Sequence, residues 1–116
     1  MEIKSITKDI AEVISDSLII LNTDDGLNLV GEAYYSGFDK VIIYESSITP
    51  KFFDLKTRMA GEILQKFSNY RMKLAIVGDF SSNTSKSLSD FIFESNKLGH
   101  VNFVASREEA IEKLSK

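Results

Sequence analysis

The sequence predicts an α/β domain with a mixed, mostly parallel sheet of about five strands, and three observations carry that prediction. Two continuous apolar runs, Val41-Ile42-Ile43-Tyr44 and Leu74-Ala75-Ile76-Val77, contain no charged residue. That is the pattern of strands covered on both faces, hence of parallel pairing. Between and after them, apolar residues recur every three or four positions, the period of helices packed along one stripe. Finally, 116 residues with 43% hydrophobic content, 8 Phe and 4 Tyr make one domain's worth of chain. Such a chain buries roughly two thirds of its unfolded surface. The expectation is a single unit over 1–116, two or three layers deep, in ββαβαβαβα order.

Residues 2–7 and 10–14 are short and β-branched, separated by Lys8-Asp9, and read as an opening hairpin. Asn22 and Thr23 then offer caps to a helix whose first turn carries Asp24 and Asp25, acids suited to the positive end of its dipole. Leu27, Val30 and Tyr34 share one face of that helix, with Leu29 and Ala33 beside them. Gly37 follows at the position where a positive φ ends a helix cheaply. Gly26 and Gly31 weaken the helix by about 1 kcal/mol each relative to alanine, so packing must hold it.

After the first buried run, Thr49-Pro50 reads as a cap followed by a first-turn proline. Phe52, Leu55, Met59, Ile63 and Phe67 then mark a strongly amphipathic helix, with residues 52–55 either part of it or a separate turn. Glu62 and Lys66 are spaced as an i,i+4 ion pair, and Ala60-Gly61 as a small face for close approach to the sheet. The second buried run ends in Gly78-Asp79. A polar loop leads to a helix with Leu88, Phe91 and Ile92 inward, closed by Gly99. Residues 101–105 form the last strand. Ser106 and Glu109 have the capping-box spacing, with Ile111 and Leu114 inward on the last helix. Alternating strands and helices demand right-handed parallel crossovers, leaving at most one antiparallel edge.

Composition narrows the chemistry. There is no cysteine and one histidine, which excludes disulfides, thiolate zinc sites, iron–sulfur clusters and polyhistidine metal sites. A net charge of −3 and a pI near 5.1 argue against a non-specific grip on nucleic acid or anionic membrane. The longest apolar run, Leu18-Ile19-Ile20-Leu21, is far short of a membrane span. No export signal opens the sequence, so a cytoplasmic location is expected, and no residue pattern calls for a cofactor.

Ligands of open α/β sheets bind beyond the carboxyl ends of the strands. Those ends carry Glu45-Ser46-Ser47, Gly78-Asp79-Phe80-Ser81 and Ala105-Ser106. Glu45 and Asp79 could hold a hard cation or act as an acid–base pair, or simply solvate the rim and cap helices. Neither GxGxxG nor GxxxxGK[ST] occurs, so Gly78 reads as a tight strand exit. Residues 81–89 hold six hydroxyls in nine positions, suiting redundant helix caps or a phosphorylated loop. Lys56, Thr57 and Arg58 beside Asp54 could receive an anion, or form an exposed polar face. His100 has no recognisable partner and reads as a surface residue. Tyr34-Tyr35 and Phe52-Phe53 each place one ring inward, leaving the second as a contact anchor.

Phe52-Phe53-Asp54-Leu55, Ala60-Gly61-Glu62-Ile63-Leu64-Gln65-Lys66-Phe67, Asn69-Tyr70-Arg71 and Lys73-Leu74-Ala75-Ile76-Val77-Gly78-Asp79-Phe80 resemble the prokaryotic family known as domain of unknown function 4180. The later Ser85-Lys86, Asp90-Phe91, Glu94-Ser95-Asn96 and Glu109-Ala110-Ile111 extend that resemblance over nearly the whole chain. The family brings no established activity. The element order is also similar, more distantly, to that of STAS domains (sulfate transporter and anti-sigma-factor antagonist), mostly regulatory binding modules. Their switch serine opens the helix after the third strand. Residues 55–57 stand there in this sequence, with Thr57 the nearest hydroxyl and the characteristic Asp-Ser-Ser-Gly run absent.

The functional expectation is a regulatory or protein-binding module without catalysis, working through a rim of Asp54, Thr57, Arg58, Asp79 and Ser81. The alternative is a small metal- or anion-dependent ligand-binding protein or enzyme using Glu45 and Asp79. A third reading is a homodimer formed through a sheet edge or the Tyr35–Phe53 region.

Overall fold

A computed structural model describes residues 1–81 and 85–116. Five strands, β1 (Glu2–Ser5), β2 (Ile10–Ile14), β3 (Lys40–Tyr44), β4 (Lys73–Val77) and β5 (Val101–Val104), lie side by side in chain order. β1 is antiparallel to β2, and every later neighbour is parallel. The hairpin forms because Thr7 Oγ1 accepts from the amides of Asp9 and Ile10, at 3.1 Å each, an ST-type turn that reverses the chain without glycine.

Four helices cover the sheet: α1 (Thr23–Tyr35), α2 (Met59–Asn69), α3 (Lys86–Leu98) and α4 (Arg107–Leu114). Sequential parallel strands joined by crossovers of one hand put α1, α2 and α3 on the same face. There Val13, Val41, Ile43, Leu74, Ile76 and Phe103 from the strands meet Leu29, Val30, Ala33, Ile63 and Phe67 from the helices in one core. α4 follows the last strand and turns back across the other face, over β3, β4 and β5. Its smaller core joins Ile10, Ile42, Ala75 and Val104 to Ala110 and Leu114. The result is three layers. Among the described residues no helix is long and apolar enough to cross a membrane.

The expected caps hold. Asn22 accepts from the Asp25 amide, Ser85 from Leu88 and Ser106 from Glu109, while Glu109 reaches back to the Ala105 amide at 2.9 Å. Several details differ from expectation. Tyr34 is 49% exposed, whereas Leu29, Val30 and Ala33 are buried as expected, together with Gly26. Gly26 is there because α2 crosses at this point. A Cβ on it would stand 2.4 Å from Ile63 Cδ1. Ala60 is buried, but Gly61 faces outward with nothing within 4 Å of its Cβ position. Lys66 does not pair with Glu62. Its ammonium stands over the Tyr70 ring, 5.0 Å from the centroid. On α3 no residue is fully buried, and Leu88, Phe91 and Ile92 are only half-covered.

The two sheet edges differ. β5 is an edge strand, yet Asn96 of α3 accepts from the Phe103 amide at 2.7 Å and donates to its carbonyl at 3.2 Å. One side chain thus imitates a pairing strand and blocks further addition there. β1 ends the other edge with a four-residue strand bearing Glu2 and Lys4, short and charged as protected edges are.

Candidate functional site

After β3 the chain forms three short 3₁₀ turns, Glu45–Ser47, Pro50–Phe53 and Leu55–Thr57, before α2 begins. The turn over 52–55 is therefore separate from the main helix. The second and third turns have local causes. The Thr49 hydroxyl accepts from the Lys51 amide ahead of Pro50, and Asp54 Oδ1 accepts from the Lys56 amide at 3.1 Å. Thr57 Oγ1 donates in a shared fork to the carbonyls of Lys51 and Asp54, 2.9 Å each, and accepts from the Met59 amide. The outcome is Arg58 at φ 64°, ψ 3°, a left-handed conformation uncommon for any residue other than glycine. Asp54 and Thr57 thus fix the loop, and Arg58 is what it presents.

A second group gathers at the end of β4. Gly78 is the residue there because Glu45 occupies the space a side chain would need, its Oε1 only 2.5 Å from an added Cβ. The close approach lets the Asp79 amide donate to Glu45 Oε1 at 3.2 Å. Asp79 in turn accepts from the Ser81 amide at 3.1 Å and the Ser81 hydroxyl at 2.7 Å. Those donors hold the Asp79 carboxyl below its ordinary range, the hydroxyl contributing most, because a hydrogen bond to the charged form favours it.

The six residues singled out from sequence therefore fall into two clusters, Glu45–Asp79–Ser81 and Asp54–Thr57–Arg58. Between them run the rings of Phe53 and Phe80, 5.9 Å apart, continuing through Phe103 and Phe91. Among the described residues no three His, Cys, Asp or Glu side chains are arranged to hold a metal ion. Residues 82–84, part of the hydroxyl-rich stretch, lie outside the described residues.

Beside the second cluster lies an open trough of about 670 Å³ between α2 and α3, lined by Leu55, Arg58, Gly61, Glu62, Gln65 and Phe91. Its volume falls in the range of binding pockets, but it is open along its length. Neither Arg58 nor Glu62 has an ion-pair partner among the described residues. A smaller cleft of about 470 Å³ is lined by Tyr34, Tyr35, Tyr70, Asn69 and Arg71. Tyr34 packs edge-on against both other rings, and Tyr34 and Tyr35 are both exposed, contrary to the expectation of one inward ring. Phe52 is buried and Phe53 half-buried. His100 is exposed, as expected.

Sequence reasoning passed over a buried charged group. Glu12, 3% exposed, accepts at Oε2 from the Tyr44 hydroxyl and from Arg107 Nε at 3.0 Å. Burial and the adjacent carboxylate push the Tyr44 phenol up to about 12, so it remains a neutral donor. The Glu12 carboxylate likewise raises the Arg107 guanidinium. The signal was present: Glu12 is the one charge within Ile10-Ala11-Glu12-Val13-Ile14, and a charge inside a buried run needs a partner.

A family model described as "Domain of unknown function (DUF4180)" matches residues 5–114. The chain belongs to that family. No curated protein and no solved structure matches it.

Proposed function

We propose that this small α/β domain is a cytoplasmic regulatory or protein-binding module without catalysis of its own, and that its contact surface is the α2–α3 trough with the adjoining rim. One observation carries the reading. The hydroxyl and carboxylate groups of the rim are engaged in shaping loops, through Thr57, Asp54, Glu45 and Asp79. The trough beside them offers Leu55, Phe91 and two charges, Arg58 and Glu62, with no ion-pair partner among the described residues. An open apolar surface edged by charge suits a macromolecule better than a small metabolite. In this reading Asp54 and Thr57 position Arg58 for contact, and Glu45, Asp79 and Ser81 form the flank.

The test is binding of a purified partner to the chain, measured by calorimetry. Phe91→Ala is expected to weaken binding by about tenfold, with Asp79→Asn nearly neutral. The opposite ranking, with binding lost on Asp79→Asn and unchanged on Phe91→Ala, would move the site to the carboxylates. Turnover of a metabolite by the chain alone would overturn the module reading.

A further inference from the structure

The charges around the trough specify its occupant. Gly61, Glu62 and Gln65 share one face at the start of α2, and Arg58 at the helix N-cap lines the same trough beside them. Arg58 and Glu62 carry opposite charges and have no ion-pair partner among the described residues. An acidic partner would satisfy Arg58 and repel Glu62, and a basic partner would do the reverse. A surface that satisfies both is the same surface turned around. When two α2 helices pack antiparallel about a two-fold axis over this face, Arg58 of each copy meets Glu62 of the other.

The rest of the face fits that arrangement. Gly61, between the two charges, has nothing within 4 Å of its Cβ position, so a second helix can come close at the crossing. Leu55 and Phe91 border the same trough and supply apolar area beside the ion pairs. A two-fold interface must be self-complementary, since each patch meets its own copy.

We infer that the α2–α3 trough is occupied by the same trough of a second copy of this chain, in an antiparallel two-fold dimer closed by reciprocal Arg58–Glu62 ion pairs. The inference rests on the reading of the trough as the contact surface, and names its partner. Sedimentation equilibrium of the full chain over increasing concentration tests it. The wild-type chain is expected to move from monomer to dimer mass. Arg58→Glu alone and Glu62→Arg alone should each weaken association by about tenfold or more. Arg58→Glu combined with Glu62→Arg should restore it, since the reversed pairs match again.

Gly61→Leu provides a variant away from the strained residue. It should keep the wild-type circular dichroism spectrum and lose association. A wild-type chain that stays monomeric, single reversals that associate normally, a double reversal that fails to recover, or a Gly61→Leu chain that still dimerises would each overturn the dimer. A monomeric wild type that still loses a foreign partner on Phe91→Ala would overturn self-association alone, leaving the contact surface standing.

Discussion

The two faces of the sheet are held by different forces. On one face three helices bury Val30, Ala33, Ile63, Phe67 and the inward row Val13, Ile43 and Ile76, so cohesion there is apolar contact spread over many side chains. On the other face one eight-residue helix covers the sheet with a core of six buried residues, and a charge helps to fix it. Arg107, the first residue of α4, reaches Glu12 on β2, which also accepts from Tyr44 on β3. The lesson is that a small apolar contact can be given a definite register by one buried, satisfied polar group.

Breaking the apolar face should have the largest effect. Phe67 is 2% exposed, and Phe67→Ala is expected to cost about 3–5 kcal/mol, visible as a loss of the whole cooperative transition in urea. On the other face, Arg107→Ala should destabilise more than Glu12→Gln, because it strands a buried carboxylate whereas glutamine keeps the shape and removes the charge. Glu12→Gln should cost about 1–2 kcal/mol. The reverse order in paired urea melts would mean that α4 is held by packing alone.

Two glycines on α1 sharpen the picture of the crowded face. Gly26→Ala drives a methyl into Ile63 and should cost about 1–3 kcal/mol despite the better helix propensity. Gly31→Ala meets nothing within 4 Å and should stabilise by up to about 1 kcal/mol. The same substitution on one helix therefore changes sign, and thermal melts of the two variants read it directly.

The polar group on the α4 face also predicts a pH signature. The folded Tyr44 phenol titrates near 12 against 10.0 for a free one. The folded state therefore holds this proton more tightly than the unfolded chain. Its contribution is complete below pH 10 and is lost as pH rises toward 12. Urea melts between those values should steepen their loss in the wild type relative to Tyr44→Phe. Smallest of all, Ser81→Ala should let the Asp79 carboxyl titrate at higher pH, followed by NMR, because its main donor is removed.

The fold was largely legible because it rests on local signals. Uninterrupted runs such as 41–44 and 74–77 became parallel strands, and Asn22, Ser85 and Ser106 became caps, as their chemistry requires. What escaped depended on distant neighbours. Tyr34 has the spacing of an inward residue, yet it lies half outside with its ring edge-on against Tyr70 beyond the end of α2. Helical periodicity also marked Leu88, Phe91 and Ile92, but an edge-strand helix with one neighbour cannot bury them fully. In the candidate site, the proximity of Glu45 and Asp79 was readable from their places at adjacent strand ends. That Asp54 and Thr57 would turn to the backbone of their own loop was not, because it depends on two successive 3₁₀ turns that bring the Lys51 carbonyl to the Thr57 hydroxyl.

The central claim, that a polar anchor fixes α4 while apolar packing holds the other three helices, is tested most directly by native-state hydrogen exchange on Arg107→Ala. Amides of α4, Ala110 and Leu114 among them, should lose protection selectively, while those of α1 and α2 retain it. Uniform loss of protection across both faces, or none on α4, would contradict the claim.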